Sequence, residues 1–162
     1  PDATEKVLRD GWFNTGDIGI FTNNDCLKIV GRSKDTIVLL NGENIEPIPI
    51  ESKICESPVV DQCMVVGQDQ KQLGALVVPS IEGFQAESVA ELSDKADIRD
   101  QIAADIRRLI SRENGFKAFE NIQEIALLPK AFEIGDELTN TFKIKRHVVE
   151  KRYVSVISGL YH

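Results

Sequence analysis

The sequence predicts an α+β fold in which helices pack on a small mixed or antiparallel sheet. Short apolar runs separated by polar turns predict paired strands, and one longer segment carries apolar residues at helical spacing. The chain has 162 residues, of which 42% are hydrophobic and 28% charged. This length and composition are typical of a globular protein that buries a core without disulfides.

The first predicted elements are a hairpin, a short strand and a helix. Two apolar runs in residues 18–31 flank a polar turn whose Asn and Asp residues tolerate positive φ, which predicts the hairpin. A short strand at 37–40 follows and ends at an Asn-Gly turn. Pro47 and Pro49 predict a helix start, because a proline in the first helical turn lacks only an N–H that would have no helical partner.

The rest of the chain predicts a sheet and the helices that cover it. Strands at 59–67 and 73–79 flank a polar turn and predict a second hairpin. Between residues 98 and 112, apolar residues recur at helical spacing with charges opposite them, and Gly115 is expected to end this helix. The last predicted elements are a strand at 122–128 and a helix at 144–158.

The composition excludes several classes of function. A net charge of −7 argues against a nucleic-acid surface, which requires a basic face. The three cysteines form no C-x-x-C pair, and with two histidines they cannot complete a zinc site at normal spacing. We therefore expect no metal site, and thiols that are reduced and mostly buried, with a disulfide between two of the cysteines as the alternative. No apolar run approaches about 20 residues, so no membrane-spanning segment is predicted.

Asp17 and Arg32 are candidate nucleotide ligands. Asp17 follows a turn-like Thr-Gly dipeptide, and its carboxylate can accept hydrogen bonds from both hydroxyls of a ribose. Arg32 can offer planar, permanently charged donors to the same nucleotide. Taken alone, Asp17 could instead close its own turn, and Arg32 could be a surface residue of a basic turn with Lys28 and Lys34.

Lys143 is the candidate catalytic residue, and it begins a K-I-x-R run. A positioned ammonium can offset the repulsion between two reacting anions and stabilise charge in a transition state. The local pattern by itself favours a solvated basic patch formed by Lys143, Lys145, Arg146 and His147. The sequence offers no Ser/His/Asp or Cys/His nucleophile set and no G-x-x-x-x-G-K-[ST] phosphate loop.

Four runs in a fixed order resemble the carboxy-terminal part of the acyl-adenylate-forming enzymes, most closely the long-chain fatty-acyl-CoA synthetases. They are W-F-x-T-G-D at 12–17, G-R-S-K-D at 31–35, G-E-N-I-E-P-I-P-I-E at 42–51 and K-I-K-R at 143–146. The resemblance implies the C-terminal lid domain of the adenylate-forming fold at 32–162. Residues 1–31, rich in large apolar side chains, would be a hairpin segment from the tail end of the N-terminal large adenylating domain.

The resemblance also implies a role for each candidate residue. Phe142 stands where the family often has Gly, and an apolar residue there is typical of the long-chain branch. Gly42-Glu43-Asn44, an ordinary turn by local pattern, would lie along the passage for the CoA thiol arm. The remaining implied roles are nucleotide binding by Asp17 and Arg32, a hinge at Lys34 and catalysis of adenylation by Lys143.

The implied reaction is the AMP-forming ligation of a fatty acid to CoA. Fatty acid and ATP, with Mg²⁺, would give acyl-adenylate and pyrophosphate, and CoA would then displace AMP. The implied partners are the missing N-terminal domain and these substrates, with no nucleic acid, and the fragment alone is expected to be inactive. The expected location is cytoplasmic, with peripheral association at the inner membrane face as an option. Two alternatives stay open: an enzyme that loads another acid or a carrier protein, and a non-catalytic interaction module with the lid fold.

Overall fold

The structure is a computed structural model that describes residues 2–162. Its first part consists of short elements: α1 (Asp2–Val7), β1 (Leu8–Arg9), β2 (Trp12–Phe13), β3 (Asp17–Phe21) and β4 (Leu27–Arg32). The antiparallel pair β3–β4 confirms the predicted hairpin, and Asp25 in its turn has a φ of 56°. Apolar side chains of both ribbons lie in solvent, with Trp12 82% and Phe21 81% exposed.

A third small ribbon leads into the first long helix: β5 (Ile37–Val38), β6 (Asn44–Ile45) and α2 (Pro47–Ile54). The predicted strand at 37–40 ends earlier, because Leu40 already lies in the turn. Pro47 is the first residue of α2, as predicted, and Ile50 and Ile54 on one helical face are buried.

The central sheet has three strands: β7 (Val60–Val66), β8 (Leu73–Pro79) and β9 (Ile122–Leu127). The middle strand β8 pairs antiparallel with β7 and parallel with β9, so the sheet is mixed. Both faces are covered. Cys63 and Val65 face the cluster that includes α2 and α5 residues, while Met64 and Val66 face the cluster beneath the C-terminal helices. The middle strand β8 and the second half of β7 are therefore continuous apolar runs, whereas β9 keeps exposed polar residues at the other edge.

Three helices form the crossover from β8 to β9: α3 (Ile81–Phe84), α4 (Val89–Ser93) and α5 (Ala96–Leu109). The expectation that Gly115 ends α5 is wrong. The helix stops at Leu109, because Ile110 leaves helical geometry and is fully buried. The side-chain amide of Asn114 donates to the carbonyls of Arg108 and Leu109 at 3.1 and 2.9 Å, which satisfies the helix end. Gly115 instead closes a separate 3₁₀ turn.

The last segment is two helices, α6 (Arg146–Arg152) and α7 (Val154–Gly159), where the sequence predicted one over 144–158. The break falls at Tyr153, whose ring packs on the buried Phe132 with ring centroids 6.3 Å apart. No helix within residues 2–162 combines the length and apolarity needed to cross a bilayer. The boundary between residues 31 and 32 falls at the end of β4 and stays a prediction.

The expectation of mostly buried thiols is wrong for two of the three cysteines. All three are free, and Cys63 in the central sheet is buried. Cys26 lies beside a hairpin turn and Cys55 directly follows α2, so both are exposed.

Glu137 is a fully buried carboxylate in the loop before α6. It accepts hydrogen bonds from the backbone N–H of Glu133 at 3.1 Å and from the guanidinium of Arg152. Burial raises the pKa of Glu137, but these hydrogen bonds to the ionised form outweigh it, and the pKa lies below its ordinary value of 4.5.

Acid should therefore destabilise the fold through Glu137. Because its pKa is lower in the folded than in the unfolded chain, the stabilisation is complete above the unfolded value of 4.5 and is lost as pH falls through the folded value. Urea unfolding across this range should show a falling free energy of unfolding, and Glu137→Gln should flatten that dependence. The exposed control Glu56→Gln should keep it. An unchanged acid dependence in Glu137→Gln would contradict the assignment.

Candidate functional site

The hairpin β3–β4 brings Asp17 and Arg32 together. The two residues are direct partners across the strands, and Arg32 Nε lies 3.1 Å from Asp17 Oδ1. The adjacent turns are also joined, because the Ser33 N–H donates to the Gly16 carbonyl at 2.9 Å. Gly16 has a φ of 72°, a conformation that favours glycine. The T-G-D and G-R-S-K-D runs therefore form one rigid corner with an ion pair at its edge.

The Asp17 carboxylate does not close its own turn. That function falls to the two preceding side chains, because the Asn14 amide oxygen accepts from the Gly16 N–H at 2.9 Å and the Thr15 hydroxyl accepts from the Asp17 N–H at 3.1 Å. Among the described residues, only Arg32 pairs with the Asp17 carboxylate, through one of its two oxygens. The second oxygen remains available to a ligand hydroxyl. The nucleotide-binding role of both residues stays a prediction.

Lys34 is exposed in the turn after β4, where the Asp35 N–H donates to the Arg32 carbonyl at 2.8 Å. Sequence reasoning gave no role to Glu46, which supports this turn. The Thr36 hydroxyl donates to Glu46 Oε1 at 2.7 Å. Glu46 Oε2 is buried without a hydrogen-bond partner among the described residues, and a Cβ at Gly31 would lie 2.1 Å from it. The glycine of the G-R-S-K-D run thus makes room for this carboxylate.

Residues 42–44 form the tip of the β5–β6 ribbon. Gly42 has a φ of 83°, and its N–H donates to the Leu39 carbonyl at 2.8 Å. The ribbon is fastened to the β7–β8 turn, because the Leu40 N–H donates to the Gln70 carbonyl at 2.9 Å. The tip itself is open to solvent at Gly42, so a narrow ligand could approach its backbone.

Lys143 lies at the end of a tight turn. The Thr139 N–H donates to the Lys143 carbonyl at 2.9 Å, and the Lys143 N–H donates to the Thr139 hydroxyl at 3.1 Å. The side chain is exposed, and within residues 2–162 its ammonium makes no hydrogen bond or ion pair. The backbone is fixed while the charge is free. This arrangement suits a group that acts on a ligand.

The basic cluster around Lys143 is not a uniformly solvated patch. Lys145 Nζ donates to the Gly135 carbonyl at 3.1 Å. Arg146 forms an ion pair with Glu51 at 2.5 Å, with only 11% and 13% of the two side chains exposed. The charged groups of Lys145 and Arg146 therefore have partners within the fold, whereas the ammonium of Lys143 has none among the described residues.

Phe142 has a backbone conformation that is unusual for a residue other than glycine. Its φ is 60°, in the left-handed region, where the Cβ atom of any residue other than glycine is sterically crowded. Its aromatic side chain is 71% exposed, so packing within the described residues does not compensate for the backbone conformation. The positive φ at Phe142 is therefore a strain that glycine would relieve.

The candidate residues do not line an enclosed pocket in the part of the chain that the structure describes. Two open grooves of about 460 and 740 Å³ are present, and neither is lined by Asp17, Arg32 or Lys143. No contact joins Lys143 to the Asp17–Arg32 corner within residues 2–162. In the same part of the chain, no three His, Cys, Asp or Glu side chains are placed to hold a metal ion.

Comparison with known proteins identifies relatives across the whole chain. The family described as AMP-binding enzyme C-terminal domain matches residues 34–162. A chloroplastic long-chain-fatty-acid–acyl-carrier-protein ligase of Arabidopsis thaliana is 35% identical over 99% of this chain and 23% of its own length. Long-chain-fatty-acid–CoA ligase 1 of Homo sapiens is 38% identical over 99% of this chain and 24% of its own. The chain therefore spans about a quarter of the length of these curated relatives.

A solved structure shares the fold. The A-PCP didomain of carboxylic acid reductase from Segniliparus rugosus, in complex with AMP, superposes with a TM-score of 0.86 at 26% identity. The match covers 99% of this chain and 22% of that chain. The predicted fold class, a small mixed sheet with packed helices as in the C-terminal region of adenylation domains, is confirmed.

The backbone at Phe142 gives a direct test of the turn geometry. Phe142→Gly should be more stable than Phe142→Ala by about 1 kcal/mol, because glycine adopts a positive φ without strain and alanine does not. Both variants lack the ring, so the comparison isolates the backbone term. Urea unfolding measures the difference. A glycine variant less stable than the alanine variant would contradict the left-handed conformation.

Proposed function

Because the chain belongs to the family of AMP-binding enzyme C-terminal domains, we propose that the protein containing it is an AMP-forming long-chain fatty-acid–CoA ligase. The likeness to long-chain ligases over 99% of this chain supports the substrate class. The observation that carries the proposal is the ammonium of Lys143, which makes no hydrogen bond or ion pair within the described residues. It lies on a fixed turn beside Lys145 and Arg146, which both have partners in the fold.

In the first half-reaction, a fatty-acid carboxylate oxygen attacks the α-phosphorus of ATP and pyrophosphate leaves. Lys143 would place its ammonium between the two anions and stabilise charge in the transition state. Asp17 would accept hydrogen bonds from the ribose hydroxyls through its available oxygen, while Arg32 holds that carboxylate in place. ATP would be used as its Mg²⁺ complex.

In the second half-reaction, the CoA thiolate attacks the acyl carbonyl and AMP leaves. A rotation at Lys34, in the exposed turn after β4, would withdraw Lys143 and bring residues 42–44 to the thioester site. The open backbone at Gly42 would then allow the thiol arm to pass. One cleft could thereby use different residues for two successive reactions.

The proposed partner of this chain within the protein is the N-terminal large domain. Trp12 and Phe21 are more than four-fifths exposed, and apolar side chains of this size are expected to be covered. The large domain would supply the rest of the ATP and acyl sites, so this chain alone would be inactive. We place the protein in the cytoplasm, with peripheral association at the inner membrane face, because a long-chain fatty acid partitions into bilayers.

A second candidate is an enzyme that loads a carrier protein instead of CoA. The observation in its favour is the 35% identity to a long-chain-fatty-acid–acyl-carrier-protein ligase. Incubation with fatty acid and ATP, and with either CoA or phosphopantetheinylated carrier protein, distinguishes the two acceptors by the thioester formed. A non-catalytic module with the lid fold is the remaining alternative, and it predicts no acyl-adenylate from the full-length protein.

Lys143→Ala in the full-length protein should lose fatty-acid-dependent ATP–pyrophosphate exchange by about 10²–10³-fold, because one charge-stabilising donor is removed. Thioester formation from pre-made acyl-adenylate should remain. The matched control is Lys145→Ala, whose side chain is held by the Gly135 carbonyl and should affect exchange far less. Loss of exchange in Lys145→Ala but not in Lys143→Ala would reassign the catalytic lysine.

Lys34→Pro should impair at least one half-reaction by about tenfold or more, because proline fixes φ at the proposed hinge. Lys34→Ala removes the same charge but leaves φ free, and both half-reactions should persist in it. Separate assays of pyrophosphate exchange and of thioester formation measure the two steps. If Lys34→Pro leaves both unchanged, residue 34 is not the hinge.

A further inference from the structure

Arg146, three residues after Lys143, is tied to a helix far away in the chain. Its Nη1 lies 2.5 Å from Glu51 Oε1 in α2, across a separation of 95 residues. Its Nη2 donates to the carbonyl of Val65 in β7. The same Glu51 oxygen accepts the Val65 N–H at 2.8 Å. We call Glu51, Val65 and Arg146 the clamp.

The clamp caps the free edge of the sheet. β7 is an edge strand in the order β7–β8–β9, so its outward N–H and C=O groups have no strand partner. At Val65, Glu51 accepts from the N–H and Arg146 donates to the C=O. The two side chains therefore replace a neighbouring strand, and each satisfies a backbone group that is buried with Val65.

The clamp also holds the segment that follows the Lys143 turn. The backbone just before Arg146 is held from the other side, because the Lys145 N–H donates to the Glu137 carbonyl at 2.7 Å and Ile144 forms a bridge with Leu138. Lys143 therefore ends the turn directly before residues 144–146, which are held by the Glu137–Leu138 backbone on one side and by the clamp on the other. The ribbon that carries residues 42–44 is fastened elsewhere, at the β7–β8 turn, by backbone hydrogen bonds.

We propose that Glu51 and Arg146 are positioning residues for Lys143 in adenylate formation, an inference that rests on the proposed function. They act through the turn and touch no substrate. If the clamp opens, the segment at 144–146 shifts relative to the sheet and the ammonium loses its placement. A displacement of about 1 Å at a catalytic group can cost about 10²-fold in rate. The residue 42–44 ribbon keeps its own anchors, so thioester formation is spared.

The test compares half-reactions in the full-length protein carrying Glu51→Gln or Arg146→Lys. Glutamine keeps the shape but removes the charge, and lysine keeps the charge but cannot span a carboxylate and a carbonyl as a guanidinium does. For both variants we expect fatty-acid-dependent ATP–pyrophosphate exchange to fall about 10–100-fold in kcat, with KM little changed. Thioester formation from pre-made acyl-adenylate should stay within about twofold of wild type.

The matched control is Asp105→Asn, which changes a hydrogen-bonded carboxylate of burial similar to that of Glu51. Asp105 accepts from the Ser57 hydroxyl at 2.5 Å and pairs with Arg108, with 19% of its side chain exposed. This cluster touches neither the Lys143 turn nor residues 42–44. Asp105→Asn should lower the free energy of unfolding without a difference between the half-reactions. Urea unfolding of all variants checks that each is folded under assay conditions.

The outcomes separate the two claims. Wild-type exchange with a selective loss in the clamp variants supports the positioning role. Wild-type exchange with equal losses in both half-reactions, or with none, overturns that role and leaves the proposed function intact. Absence of exchange in the wild type, with Lys143→Ala indistinguishable from it, overturns the proposed function and this inference together.

Discussion

The capped edge at Val65 is the constraint on which the rest of the arrangement depends. A three-stranded sheet covered on both faces still leaves backbone groups unpaired along its outer strand, and burying them without partners costs free energy. Glu51 and Arg146 supply those partners from opposite ends of the chain. The edge strand, the helix after the 42–44 ribbon and the segment after the Lys143 turn thereby become one body. A buried pair of this kind adds little net stability, because its desolvation offsets much of its attraction.

This body separates charges that hold the fold from charges that remain free. Arg146 donates a hydrogen bond to the edge strand of the sheet, and Lys145 donates one to a loop carbonyl. Glu137 stays ionised in the interior because Arg152 and backbone donors surround it. Lys143 keeps a fixed backbone and an ammonium that pairs with no side chain the structure describes, a combination that suits electrostatic catalysis. The same logic applies at the hairpin corner, where Arg32 orients Asp17 yet leaves one of its oxygens open.

Much of this could be predicted from the sequence, because the signals are local. The polar turn of the first hairpin, the prolines that begin α2 and the helical spacing of α5 act within a few residues, and the structure confirms all three elements. The motif runs indicated the family, and the comparison over residues 34–162 confirms it. The sequence also selected Asp17, Arg32 and Lys143, although their roles stay predictions.

Only the tertiary structure decided which charged residues hold the fold. Nothing local pairs Glu51 with Arg146 across 95 residues, or marks Glu46 as the carboxylate that Gly31 accommodates. The end of α5 and the break at Tyr153 were also missed, because buried packing of Ile110 and Phe132 overrides helical propensity there. Turns and helical periodicity depend on residues that are close in sequence, so they can be predicted from it. Partner choice between distant side chains is set by which backbone groups the folded sheet leaves without a partner.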